Sequence, residues 1–218
     1  MKRFLPVMLA LPLAACSAGG DFQLPSISSL SSVFAPASPS TQDLSGSIKP
    51  VARSAADDLS SMTVTSLMDG SRKTYTVRPY GNGIRVRESN GCVWTRSDDW
   101  FSPSDSWANC GDSKNWHTAR AKVRELDSLY PLKVGSVGRY ERRAVSSSGR
   151  SYTRETRCEV TNAVDVLRPG QAATPAYVVV CKDTRRTRTT WFAPGEGPIA
   201  YREVHRRNGV EVAWLRAD

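Results

Sequence analysis

Thr74-Tyr75-Thr76-Val77-Arg78, then Gly81-Asn82-Gly83, then Ile84-Arg85-Val86-Arg87, is the stretch on which the fold reading turns. Tyr75, Val77, Ile84 and Val86 alternate with polar residues in each arm. That two-residue period marks a strand with one buried face, and Gly-Asn-Gly supplies the backbone freedom of a tight turn. The stretch predicts a β-hairpin. Outward from it the same signature recurs. Asn90-Gly91 turns into Cys92-Val93-Trp94-Thr95, and Gly138–Arg142 and Tyr152–Val160 flank Ser146-Ser147-Ser148-Gly149. Ala176–Cys181 reads as a buried strand, and Arg188–Phe192, Ile199–Arg206 and Val210–Leu215 follow, with Asn208-Gly209 between the last two.

One segment is contested. Trp116, Val123, Leu126 and Tyr130 keep helical spacing, whereas Ala119, Ala121 and Val123 alternate with Arg120, Lys122 and Arg124. Flanking strands and the lack of a well-placed cap favour the strand. The expected class is mostly β, in antiparallel sheets, behind a disordered N-terminal tether; it allows two related subdomains, 62–133 and an Arg-rich 134–218.

The chain of 218 residues suits one domain or two small ones, with 39% hydrophobic residues to build a core. It holds no apolar run of about 18 residues, which argues against a chain that spans the membrane. Two histidines in the whole chain argue against a multi-histidine metal site, and no cofactor is expected. Net charge is +9, from 30 Lys+Arg against 21 Asp+Glu.

The N-terminus is a secretion signal: Lys2 and Arg3, the apolar Phe4–Leu13, then Ala14 and Ala15. Leu13-Ala14-Ala15-Cys16 resembles the bacterial lipobox, which implies cleavage after residue 15 and diacylglycerol and palmitate-type acylation of Cys16. Each buried methylene contributes about 0.8 kcal/mol, so two or three acyl chains anchor a protein durably. Ser17, in place of Asp, implies outer-membrane sorting by the enteric rule, with a domain expected in the periplasm. From Ser17 to Ser61 come thirteen Ser and four Pro, the composition of a linker. As a flexible coil of about forty residues it would span about 35 Å. A short helix over Ala55–Met62, packed on the domain, is the alternative for its last part.

With Cys16 as the anchor, Cys92, Cys110, Cys158 and Cys181 remain, and in an oxidising compartment four cysteines read as two disulfides. Three connectivities exist, of which sequential pairing is the most economical. Zinc is the rival, but no C-x-x-C pair is present. Trp100-Phe101-Ser102-Pro103 and Trp191-Phe192-Ala193-Pro194 repeat a W-F-small-P tetrapeptide. Its expected role is structural, the aromatics covering a sheet and the proline ending a strand.

Gly91-Cys92-Val93-Trp94, Trp100–Pro103, Trp107, Cys110, Tyr130-Pro131-Leu132-Lys133-Val134-Gly135, Cys158, Cys181 and Trp191–Gly197 together resemble a group of uncharacterised Gram-negative envelope lipoproteins. The resemblance covers roughly residues 85 to 205 and implies an envelope lipoprotein, with no activity attached.

Catalytic constellations are thin. A hydrolase would have to use His117 or His205, with Ser113, Ser136 or Asp112 beside His117, and no G-x-S-x-G elbow is present. Asp98, Asp99, Asp105 and Asp112 offer carboxylates to a glycosidase or a cation, but they stand in a polar loop where acids serve turns. The basic residues say more. Val134–Asp218 carries 15 basic and 9 acidic residues, with Arg185, Arg186, Arg188, Arg206 and Arg207 as a candidate anion-binding face. A secreted lipoprotein meets lipid headgroups, lipopolysaccharide and peptidoglycan rather than nucleic acid. The function expected is a non-enzymatic binding or scaffolding module; a partner-binding subunit or inhibitor of an envelope machine, or an envelope hydrolase, are the alternatives.

Overall fold

The computed structural model describes residues 39, 41–43, 48–53, 59–81, 83–96, 99–111 and 114–218. The signal segment, Cys16, much of the Ser/Pro-rich stretch, Asp98, Asp112 and Ser113 lie outside them. The strands are β1 (Thr41–Asp43), β2 (Ser61–Ser66), β3 (Arg72–Tyr80), β4 (Gly83–Glu88), β5 (Val93–Arg96), β6 (Ser106–Ala108), β7 (Ala119–Asp127), β8 (Val137–Ser146), β9 (Ser151–Val166), β10 (Thr174–Lys182), β11 (Arg186–Ala193), β12 (Gly197–His205) and β13 (Gly209–Arg216). No helix occurs among the described residues. The contested segment is β7.

From β2 to β13 every strand pairs antiparallel with its neighbour in sequence, and β13 returns to β2 through Trp214↔Ser66, Leu215↔Thr65 and Arg216↔Val64. The result is a closed, up-and-down barrel of twelve strands, with β1 added beside β9. The segments 62–133 and 134–218 supply adjoining arcs of this one ring. They join along β7–β8 and along the β13–β2 seam.

A ring this wide is harder to fill with wall side chains than an eight-strand one. Here the filling comes from chain that turns inward at one end. Met62, Val64, Tyr75, Val77, Ile84 and Val86 point from the wall into one core with Trp100 and Phe101 of the β5–β6 connection and Leu129 and Leu132 of the β7–β8 connection. Part of the stretch read as linker also docks there. Ile48, Val51 and Leu59 pack on this core, Val51 and Leu132 exchange backbone hydrogen bonds of 3.1 and 2.8 Å, and the Tyr177 hydroxyl donates to the Ile48 carbonyl at 2.9 Å. Composition averaged over a Ser-rich window conceals a few well-spaced apolar side chains, and those suffice to plug a barrel end. The helix alternative for 55–62 is not carried by its described part, because Met62 lies in β2; residues 54–58 fall outside the described residues.

Both disulfides follow the sequential pairing. Cys92–Cys110 clamps β5 to β6 where their ladder has only Val93↔Ala108, Trp94↔Trp107 and Thr95↔Ser106. Cys158–Cys181 joins residues directly opposite on β9 and β10, inside the core. The two W-F tetrapeptides meet, with the Phe101 and Phe192 rings edge to face at 5.4 Å. Their settings differ: Ala193 ends β11 with Pro194 next, whereas Trp100 and Phe101 enter the core from a connection.

On β7–β9 the outward face is ion-paired: Arg139 with Asp127 and Glu155, Glu141 with Arg124 and Arg143, Arg157 with Glu159. On these three strands the outer face is charged, unlike the apolar outer face of a lipid-embedded barrel.

Candidate anion-binding site

The lumen changes character along its length. Beside the plugged end it is apolar and aromatic; towards the end bearing the β8–β9, β10–β11 and β12–β13 turns it is lined by arginine. Register fixes which arginines point in. Arg96 lies opposite Ile84, Arg142 opposite Val123 and Arg154, and Arg188 opposite Cys181 and Glu203. Those partners face the core or the polar half of the same lumen, and directly opposed residues share a face.

Two of the inward arginines are neutralised. Arg154 reaches Asp183 at 3.7 Å, both side chains almost wholly buried, and Arg186 pairs with Glu203, which also accepts the Tyr201 hydroxyl at 2.5 Å. Burial pushes the Asp183 carboxyl up, but N–H donors of Arg185 and Arg186 and the charge of Arg154 outweigh it and hold the group below its usual range. Arg96, Arg142 and Arg188 are different. None makes an ion pair among the described residues, although Asp99 acts electrostatically on Arg96, and Asp183 on Arg142 and Arg188, and the Nε of each is buried without a hydrogen-bond acceptor.

Aromatic faces take the place of counter-ions. Arg96 lies 4.7 Å over Trp94, Arg142 stands between Trp107 and Tyr152 at 5.4 Å from each, and Arg154 is 4.6 Å over Tyr152. The wall itself is braced: Trp107 donates its Nε1–H to the Trp116 carbonyl at 2.7 Å and stacks on the Trp116 ring, which touches Tyr152 at 4.8 Å. Such cation–aromatic contacts hold a guanidinium in place without supplying a hydrogen-bond acceptor. Burial, then Arg188, pushes Arg96 down to about 10. Burial does the same to Arg142, also to about 10, against an opposing effect of Tyr152 and with help from Arg188 and Arg154. Both stay cationic at neutral pH, and the five inward arginines, Arg96, Arg142, Arg154, Arg186 and Arg188, outnumber the carboxylates Asp99, Asp183 and Glu203 that act on them. A guanidinium in that state donates hydrogen bonds and accepts none, so the arrangement is suited to holding an anion rather than to moving a proton.

Of the arginines singled out in the sequence, Arg186 and Arg188 line the lumen. Arg185, Arg206 and Arg207 stand exposed on the adjoining β10–β11 and β12–β13 turns, where the Arg206 N–H donates to the Arg185 carbonyl at 2.8 Å. The structure thus gathers the five at one end of the barrel but divides them between wall and rim. Arg96, Arg142 and Arg154 were not part of that set. The signal was present in strand phase: Arg96 alternates in step with Trp94, Arg142 with Tyr140 and Ala144, and Arg154 with Cys158. His117 is exposed in the β6–β7 connection, and His205 lies 4.0 Å from Glu211 with its Nδ1 accepting the Arg207 N–H. Ser136 donates its hydroxyl to the Pro131 carbonyl at 2.9 Å. Asp105 accepts the Thr95 hydroxyl. Asp99 is buried at the plugged end, accepting N–H groups of Phe101 and Ser102 and the Tyr140 hydroxyl; burial raises its pKa. Among the described residues no cluster of His, Cys, Asp and Glu is placed to hold a metal ion.

Comparison with protein-family models, with curated proteins and with solved structures gave no match.

Proposed function

We propose that this protein is a lipid-anchored binding module of the bacterial cell envelope, acylated at Cys16, whose barrel interior receives an anionic ligand. One observation carries the binding half: Arg96, Arg142 and Arg188 converge in the lumen without an ion pair among the described residues, in a set of five inward arginines that outnumbers the carboxylates Asp99, Asp183 and Glu203. Burying an unmatched charge is costly, and a site that retains several is poised for an incoming counter-charge. The envelope half rests on the sequence of residues 1–16 and is supported by two disulfides, which form and persist in oxidising compartments. The exposed rim, Arg185, Arg206 and Arg207, favours a second reading in which an acidic partner protein docks over the same end.

Two measurements test this. Radiolabelled palmitate should enter the wild type and not Cys16→Ser; label in the variant ends the anchoring reading. Calorimetric titration of the purified chain with small anions should give saturable binding that Arg96→Gln/Arg142→Gln/Arg188→Gln abolishes and Arg185→Gln/Arg206→Gln/Arg207→Gln spares. Loss in the rim variant alone would transfer the site to the surface and favour the docking reading.

A further inference from the structure

We infer that the occupant of the lumen is a phosphoryl group carrying two negative charges, held by Arg96, Arg142 and Arg188 from three parts of the barrel wall. The inference rests on the anion-binding reading above and narrows it to one ligand chemistry.

Placement comes first. The three arginines stand on β5, β8 and β11, three strands apart in succession along one side of the ring, with six strands from β11 back to β5. Their donors therefore approach from different directions. A carboxylate offers two oxygens in one plane, suited to a single arginine fork, whereas a terminal phosphoryl group offers three oxygens spread over a tetrahedron. Three forks converging from around a wall match the second shape.

Charge points the same way. Arg154 and Arg186 are ion-paired with Asp183 and Glu203, whereas Arg96, Arg142 and Arg188 make no ion pair among the described residues. Arg188 acts electrostatically on both Arg96 and Arg142, and Arg142 acts on Arg96, so the three form one mutually coupled group. Five inward arginines face three carboxylates, Asp99, Asp183 and Glu203, an excess of 5 − 3 = 2 charges. A monocarboxylate would match one of the two, whereas a phosphate ester, which carries about −1.5 to −2 at neutral pH, matches both.

Orientation completes the match. Arg96 lies over the Trp94 ring, and Arg142 over the Trp107 and Tyr152 rings. These contacts hold both guanidiniums in the lumen before an acceptor arrives.

The probes are glucose 6-phosphate as a soluble monoester, inorganic phosphate, malonate as a dicarboxylate of equal charge, and sulfate, each titrated calorimetrically into the full chain in an anion-poor buffer. Both phosphates should bind at least about 10-fold more tightly than malonate at pH 7.5, because charge is matched and only shape differs. From pH 7.5 to pH 5.0 glucose 6-phosphate should weaken by about 10-fold as it gains its second proton, which titrates near 6. Sulfate, a dianion at both values, reads out the groups that face the lumen, namely Asp99, Asp183, Glu203 and His205, and should change by less than about 3-fold. Arg188→Gln should weaken glucose 6-phosphate at least about 10-fold, and Arg142→Gln serves if that variant does not fold. Arg143→Gln, which removes the same charge from the outer face, should leave binding unchanged.

Malonate binding as tightly as phosphate overturns the phosphoryl assignment and leaves the anion-binding reading standing. If no anion binds, both fall. Equal loss in Arg143→Gln and Arg188→Gln places the effect in net charge and overturns both as well. Competition by phosphatidate vesicles, but not by phosphatidylcholine vesicles, identifies a lipid headgroup as the source of the phosphoryl group; its absence identifies a soluble ester, and either result keeps the assignment.

Discussion

Replacing Arg96 with methionine should make the protein more stable and, in the same step, less able to bind. The reasoning starts from the cost of the buried charge. Burial first, then Arg188, lowers Arg96 to about 10, a shift that corresponds to about 3 kcal/mol against the charged form. Part of the side chain reaches solvent, so about half of that is a better figure. Methionine keeps an apolar stem of similar length against Trp94 but forfeits the cation–aromatic contact, worth about 0.5–1 kcal/mol. The balance is a gain of about 1 kcal/mol, which for a domain of this size raises the melting temperature by about 2–4 °C. Differential scanning calorimetry in an anion-poor buffer measures it. Saturating phosphate should then reverse the order of the two proteins, because a ligand at a hundred times its Kd adds about 2.7 kcal/mol to the wild type alone. A variant that melts below the wild type without anion refutes the reasoning, since the cation would then have to be paired. Equal stabilisation of both proteins by phosphate refutes it from the other side.

Gly138→Ala tests the packing at the plugged end: a Cβ there would lie 2.7 Å from the Leu129 Cβ, 2.8 Å from its nitrogen and 2.9 Å from its Cα. Because backbone must move, a loss of about 2 kcal/mol and a fall of about 4–8 °C are expected, and an unchanged melting point would contradict the contact. Alkali should destabilise the barrel from about pH 10 upward. Burial, with Glu88, pushes Tyr75 up to about 12, and burial first of all raises Tyr130, Tyr140 and Tyr201 further, so the unfolded chain releases protons that the folded one keeps and stability falls as pH rises. Arg96 and Arg142 act in the opposite sense but are outnumbered; urea midpoints that hold constant from pH 9 to 11.5 would count against this balance.

The strands were legible because each carries its own evidence. Tyr75 and Val77 announce an inward phase, Gly91 and Gly149 sit at φ of 90° and 79° in turns that few other residues tolerate, and neither fact depends on distant chain. Closure was not legible. The β13–β2 seam rests on three residue pairs between segments far apart in sequence, and nothing local to Val64 or Leu215 marks the partner. The same holds for Val51, whose bridge to Leu132 crosses from a Ser-rich stretch to the barrel end. In the lumen the difficulty was one of expectation. Arginine on a strand reads as its wet side, and only the phase set by Trp94, Tyr140 and Cys158 places Arg96, Arg142 and Arg154 inside. The rim arginines were visible because they cluster in sequence; the wall arginines cluster only when the sheet curls.

The seam also has a topological consequence. Thr63 accepts the Ala217 N–H at 2.8 Å and donates its own to Asp218 at 3.0 Å, so the first and last strands of the ring run side by side. Since every other neighbour in the ring is also a neighbour in sequence, the starting point is a cut that circular permutation could move to any hairpin while preserving each ladder. The natural cut lies at the plugged end, where residues 48–53 pass over the core. Opening the ring at Ser147-Ser148-Gly149 and splicing Asp218 to Leu59 would start the barrel at the arginine end instead. The position of the break in the circle, more than any single side chain, therefore decides at which mouth the chain enters the barrel.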